Sequence, residues 1–373
     1  MANARKIRST ILLSGISIAL FLFIYRTSGF GKQPSVVVVR LANNSLEFAC
    51  LESENCPPDI NLKTITQPVI YIDAAFYRNP STIDIVLVRA DQIFVLLEID
   101  LKNNQVEYTT LPEETLPPIR LAYTDAQVII GDQTGRVLFI QNGEIKSRVK
   151  LTGKDNISNI AGLFVRDDEV VVFSPVPVIE NQKTYAQVWL IPLSDSRISR
   201  QLLQTPNFDH LEIGESPQSG AKYAFRIIGV SKDLTHLYIS YYLGKEENTA
   251  QQMLGIFDTT TLEEISSSRV ECANMTGYDE SNGILYSSKD DLEGGGSTAG
   301  FINLHSLTSL DMSIFTQDET TARLSIVPFS ENFLFGTNSR VFIVTPTGEI
   351  VKKYDLPPAW HNENYVLCSI SGN

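Results

Sequence analysis

Residues Gln127–Leu151 read QVIIGDQTGRVLFIQNGEIKSRVKL, and residues Asn332–Leu356 read NFLFGTNSRVFIVTPTGEIVKKYDL. The two stretches carry the same features in the same order. Each has an apolar strand, a Gly, a polar turn, Arg-Val, a second apolar strand, then Gly-Glu-Ile and a basic strand. The matching Gly-Glu-Ile units are Gly143-Glu144-Ile145 and Gly348-Glu349-Ile350. A Gly supplies the positive φ of a tight hairpin turn. Runs rich in Val, Ile, Phe and Tyr broken by turn residues continue from Ser35 onward, as in Ser35–Arg40, Ile83–Arg89, Glu169–Ser174, His236–Tyr242 and Asn332–Gly336. Such residues suit a pleated, half-buried surface. No stretch after Tyr25 sustains a 3.6-residue period, so the chain is all-β.

Weaker copies of the central strand begin at Gln92, Gln187, Leu254 and Ala299, beside the two at Arg136 and Arg340. Their spacing is close to the roughly 40–45 residues of a four-stranded blade. One gap is wider. It holds Thr205–Lys222, rich in Pro, Gly, Ser and acids, and reads as an inserted loop. A single blade cannot bury both its faces, whereas blades stacked around an axis bury them against each other. The expected architecture is a β-propeller of six or seven four-stranded blades over residues 35–373. Strands near Ser35–Glu52 and Asn364–Ser371 would join in a shared closing blade.

Phrases such as Ile256–Ile265 (IFDTTTLEEI) and Val344–Leu356 (VTPTGEIVKKYDL) resemble the outer strands of the YVTN and WD-repeat propeller superfamilies. The resemblance is spread over residues 68–358. It lacks the Gly-His and Trp-Asp signatures of WD repeats and the Asp-box of sialidase-like propellers. It implies the fold and no activity.

Residues Ser9–Tyr25 read STILLSGISIALFLFIY and carry no charge. As a helix they span roughly 26 Å, enough for a thin bilayer. Arg5, Lys6 and Arg8 precede the run, and Arg26 and Lys32 follow it. That bias keeps the N-terminus cytoplasmic and sends the rest across. Residues 1–26 are therefore expected to be a transmembrane signal anchor or a cleaved signal peptide, with 27–34 a short linker. Thr27-Ser28-Gly29 is a passable cleavage site, so both readings stay open. The propeller is expected outside the cytoplasm, anchored to the membrane or secreted.

The formal net charge of −13 disfavours nucleic acid as a partner. Four cysteines occur, Cys50, Cys56, Cys272 and Cys368. An extracytoplasmic chain permits disulfides. Cys50 and Cys56 could close a small loop, and Cys368 on the last strand could reach either of them. Connectivity is not readable from spacing.

Catalytic signals are sparse. His210, His236, His305 and His361 form no HExxH pair and lie near no clear nucleophile. Asp290, Asp291 and Glu293 precede Gly294-Gly295-Gly296. Hard cations take carboxylate oxygens, but this spacing lacks the EF-hand alternation, so it reads first as a solvated hairpin loop. The triple Gly lacks the GK[ST] ending of a phosphate loop. The sequons at Asn43, Asn156 and Asn274 are close to chance. No cofactor motif is present. The sequence thus points to a binding or scaffold module with a protein partner, with Pro175–Tyr185, Thr205–Lys222 and Tyr242–Gln252 as contact loops. The rival is a propeller enzyme of hydrolase, lyase or dehydrogenase type with its site in the central channel.

Overall fold

The computed structural model describes residues 36–51, 56–117, 119–151, 160–194, 197–206, 225–243, 251–269, 275–279, 284–291, 296–303, 309–311, 325–329, 332–337, 339–345, 347, 349–361 and 365–369. The N-terminal apolar segment, expected as an anchor or signal, lies outside them. Among the described residues no helix is long and apolar enough to cross a membrane.

The described strands form seven separate four-stranded antiparallel sheets. Six are consecutive in sequence. The seventh joins the two ends of the chain: Tyr365–Ser369 pairs with Val36–Ala42, which pairs with Ser45–Cys50 and then Ile60–Asn61. We number this closing sheet blade 1 and the others 2 to 7 along the chain. Tyr365–Ser369 also touches the first strands of blade 2 (Val69–Asn79) and blade 7 (Ser325–Phe329), which closes the ring. The chain is a β-propeller.

The core consists of layers between neighbouring blades. In blade 2, Ile83, Ile85 and Leu87 pack with Val37, Val39 and Leu46 of blade 1. The alternate residues Val86 and Val88 pack with Val128, Ile130 and Ile140 of blade 3. Side chains on a strand alternate in direction, so a strand between two blades is apolar at nearly every position. The third strand of blade 2, Phe94–Asp100, is buried at six successive residues. The outermost strand, Gln105–Thr110, buries only Thr109. Further layers join blades 3 and 4 around Trp189, and blades 4 and 5 around Phe173. The closing layer sets Val36, Val38 and Leu367 against Leu334, Val341 and Ile343 of blade 7.

The third strands of blades 2 to 7 are the six strands whose spacing announced the repeat. The two best-matched copies also share a local irregularity. The ladder of Arg136–Gln141 with Glu144–Lys150 shifts between Phe139 and Ile140. The ladder of Arg340–Val344 with Ile350–Asp355 shifts at the equivalent Ile343 and Val344.

The topology gives the ring two unlike faces. Turns from first to second and from third to fourth strand lie on one face, here called lower. Hairpins from second to third strand and crossovers between blades lie on the other, called upper. Val36 pairs with Ser369 at the lower face, so both ends of the described chain leave there.

Cys50 and Cys56 are disulfide-bonded, with Cα atoms 5.5 Å apart. The alternative linkage to Cys368 is excluded for Cys50. Cys50 and Cys368 flank Val37 from opposite sides. Two strand spacings separate them, about 10 Å, beyond the roughly 7 Å a disulfide spans. Cys272 lies outside the described residues.

Candidate functional site

The described strands that flank the segments expected to make contacts end at the upper face. Pro175–Tyr185 belongs to the second-to-third-strand hairpin of blade 4, and residues 207–224 follow that blade's last strand. Residues 244–250 connect the second and third strands of blade 5. The last two segments lie outside the described residues, but the strands flanking them end at this face. Pro175–Tyr185 is not the loop the sequence suggested. The strands Glu169–Glu180 and Lys183–Pro192 continue past a bulge after Ser174 and pair again at Val178–Tyr185, Ile179–Thr184 and Glu180–Lys183. Asn181 and Gln182 close this arm, both with φ above +50°.

Exposed apolar residues mark the same face. Of ten large exposed hydrophobics among the described residues, five lie on outermost strands and Ile198 lies at a lower turn. The other four, Ile70, Leu116, Val176 and Ile179, are on the upper face, and Ile179 is 74% exposed.

A groove of about 650 Å³ opens beside two of them, at the top of the seam between blades 2 and 3. Three segments build it: Tyr71 at the start of blade 2, the Asp91–Phe94 turn and strand start, and the crossover residues Glu113 and Thr115–Pro117. Phe94 is buried. Gln92 takes φ +65°, with its N–H donating to the Arg89 carbonyl at 2.9 Å, which tightens the turn. Desolvation raises the Asp91 carboxyl, but the Arg89 guanidinium and the Ile93 N–H together outweigh it and hold it below its ordinary range. Thr115 is 3% exposed, and its Oγ1 is buried without a hydrogen-bond partner.

The lower end of the same seam holds a buried ion cluster. Arg78 donates to both Asp84 oxygens, at 2.9 and 2.8 Å, and also to Glu98. Glu98 Oε1 accepts the Gly143 N–H of blade 3 at 3.0 Å. Burial pushes the Asp84 carboxyl up to about 7, against the pull of Arg78. The Gly143 turn is tight. Its φ is +68°, and a Cβ there would sit 3.2 Å from a Glu107 oxygen. This cluster joins two blades, as do the bonds from Arg120 to the Ala161 carbonyl and from Arg166 to the Lys232 carbonyl.

Phe76 and Tyr123, on the inner strands of blades 2 and 3, stack with centroids 5.1 Å apart. The two described histidines, His236 and His361, lie on opposite faces. His236 follows a lower turn, with Nδ1 2.9 Å from Thr235 Oγ1. His361 lies in the upper crossover before the closing strand, with Nε2 3.1 Å from the Leu356 carbonyl. His210 and His305 lie outside the described residues. Asp290 and Asp291 end the second strand of blade 6, opposite Ser297 and Gly296. Glu293 is outside the described residues. Among those described, no group of three or more His, Cys, Asp or Glu could hold a metal ion.

No family model matches the chain. No curated protein matches it. Similar solved structures include the dihydro-heme d1 dehydrogenase NirN in complex with DHE, at 12% identity and TM-score 0.47 over 88% of this chain. This chain spans 64% of that protein's length. The Cps50 (Swd1) β-propeller domain of Myceliophteria thermophila is 15% identical, with TM-score 0.44 over 79% of this chain and 90% of that one. BamB from Moraxella catarrhalis is 12% identical, with TM-score 0.42 over 87% and 91%. At these identities and TM-scores the likeness adds nothing to the sheet topology, which is that of a β-propeller.

Proposed function

We propose that this chain is a protein-binding module, held outside the cytoplasm by residues 9–25, whose upper face receives a protein partner. The observation that carries the reading is the placement of Ile70, Leu116, Val176 and Ile179 on one face. Exposed apolar residues gathered beside a groove mark interaction surfaces, whereas scattered ones do not. The Cys50–Cys56 bond supports an oxidising compartment. The apolar run at Ser9–Tyr25 supports the tether. Since Val36 starts at the lower face, the linker of residues 27–34 meets the ring on the side away from the docking face. That linker reaches roughly 30 Å at full extension, so a tethered ring would turn its upper face from the membrane.

The test is capture of the tagged full-length protein from detergent-solubilised native membranes, followed by mass spectrometry. A stoichiometric partner retained by the wild type and lost on deletion of residues 205–222 supports the reading. A clean preparation with no partner contradicts it. Release of the chain by alkaline carbonate extraction would contradict the tether.

A further inference from the structure

We propose that the groove between blades 2 and 3 is the anchor point of that docking face, and that it takes an extended protein segment carrying an apolar side chain next to a lysine or arginine. This rests on the protein-binding reading and narrows it.

Three observations point to that chemistry. The groove is apolar inside and at its lip: Phe94 and Tyr71 line it, and the exposed Leu116 and Pro117 border it. Its charged lining residues among those described are Asp91 and Glu113, with no lysine or arginine among the described lining. Asp91 is engaged by Arg89, which leaves the Glu113 carboxylate as the acceptor for an incoming cation. Finally, Thr115 Oγ1 is buried and unpartnered. A buried hydroxyl without a partner is destabilising, and a bound segment that displaces the crossover enough to reach it would satisfy it with a main-chain group.

A protein segment fits better than an isolated small cation because the exposed Leu116 and Pro117 carry the apolar lining out to the surface. An apolar side chain would fill the space over Phe94. The basic residue beside it would reach Glu113. The segment's main chain would run past Thr115.

The experiment uses the full-length protein in detergent and an array of blocked heptapeptides. Each has one central Leu, Phe or Ile, with Lys, Arg, Gln or Glu two residues on. Circular dichroism confirms that each variant is folded. The inference expects Lys and Arg peptides to bind about tenfold more tightly than their Glu counterparts. It expects Glu113→Lys to remove or reverse that preference. Thr115→Val, which keeps the shape and deletes the hydroxyl, should weaken binding about fivefold. Equal binding of all peptides, or the same preference in both variants, overturns it. Those results leave the wider reading standing if native-membrane capture still yields a partner that Ile179→Glu abolishes. Absence of any captured partner overturns the wider reading instead.

Discussion

The guanidinium carbon of Arg40 sits 5.0 Å from the centre of the Trp360 ring. Arg40 also donates to the Ala359 carbonyl and reaches Glu47 Oε2 at 2.5 Å. One buried side chain thus ties the turn before the last strand to the first hairpin of the chain. Closure of the ring depends on this point, since Tyr365–Ser369 is the inner strand of blade 1.

Trp360→Ala should therefore loosen closure before anything else. Truncating a buried Trp costs about 3–5 kcal/mol. Hydrogen exchange should accelerate first in Val36–Ala42 and Tyr365–Ser369, with blades 3 and 4 protected. Uniform acceleration in all blades would show that closure is not the weak point.

The Asp84 carboxyl makes stability fall as pH rises. Its folded pKa is raised to about 7 by burial, above the roughly 3.9 of an unfolded aspartate. Its contribution is full below about pH 4 and is lost as pH climbs through 7. Urea unfolding between pH 5 and 8 should show this decline, and Asp84→Asn should flatten it. A profile unchanged by the substitution would contradict the assignment.

Asp233 acts in the opposite sense. Burial raises its carboxyl, but hydrogen bonds from Ser231 and Thr235 outweigh this and bring it to about 2. Its contribution is present above about pH 4 and is lost as pH falls toward 2. Asp233→Asn should remove part of the acid sensitivity near pH 3 while leaving the pH 5 to 8 slope intact.

Reduction should destabilise blade 1. A loop as short as Cys50–Cys56 gives about 2 kcal/mol in the chain-entropy account. Cys50→Ser, Cys56→Ser and the double variant should all lose the same amount in chemical denaturation. Additive losses would mean the two thiols act separately.

The architecture was legible because the third strands are sandwiched between blades. Phe94–Asp100 must be apolar at nearly every position, and its copies stand out in the sequence. Inner strands are harder to see. Arg120–Tyr123 is four residues long and mixes a cation with half-buried positions. The fourth strand of blade 1 is only Ile60–Asn61. The arm at Pro175–Tyr185 was misread because Pro175 and Pro177 look like loop residues. In the structure they fall within the register shift between Ser174 and Val178, where ladder pairing is interrupted. The groove left no local trace, since Tyr71, the Asp91–Phe94 turn and the crossover residues Glu113 and Thr115–Pro117 are far apart in sequence and meet only in the folded ring.

The most direct test measures the affinity of the captured partner for three folded variants. Leu116→Glu and Ile179→Glu alter the upper face, and Ile198→Glu alters a lower turn. All three are surface changes expected to shift stability by about 0.5 kcal/mol or less. The account predicts that the two upper-face variants weaken the partner at least about tenfold, as for truncated interface anchors, and that Ile198→Glu binds like the wild type. Loss of binding in Ile198→Glu with both upper-face variants unaffected would contradict it.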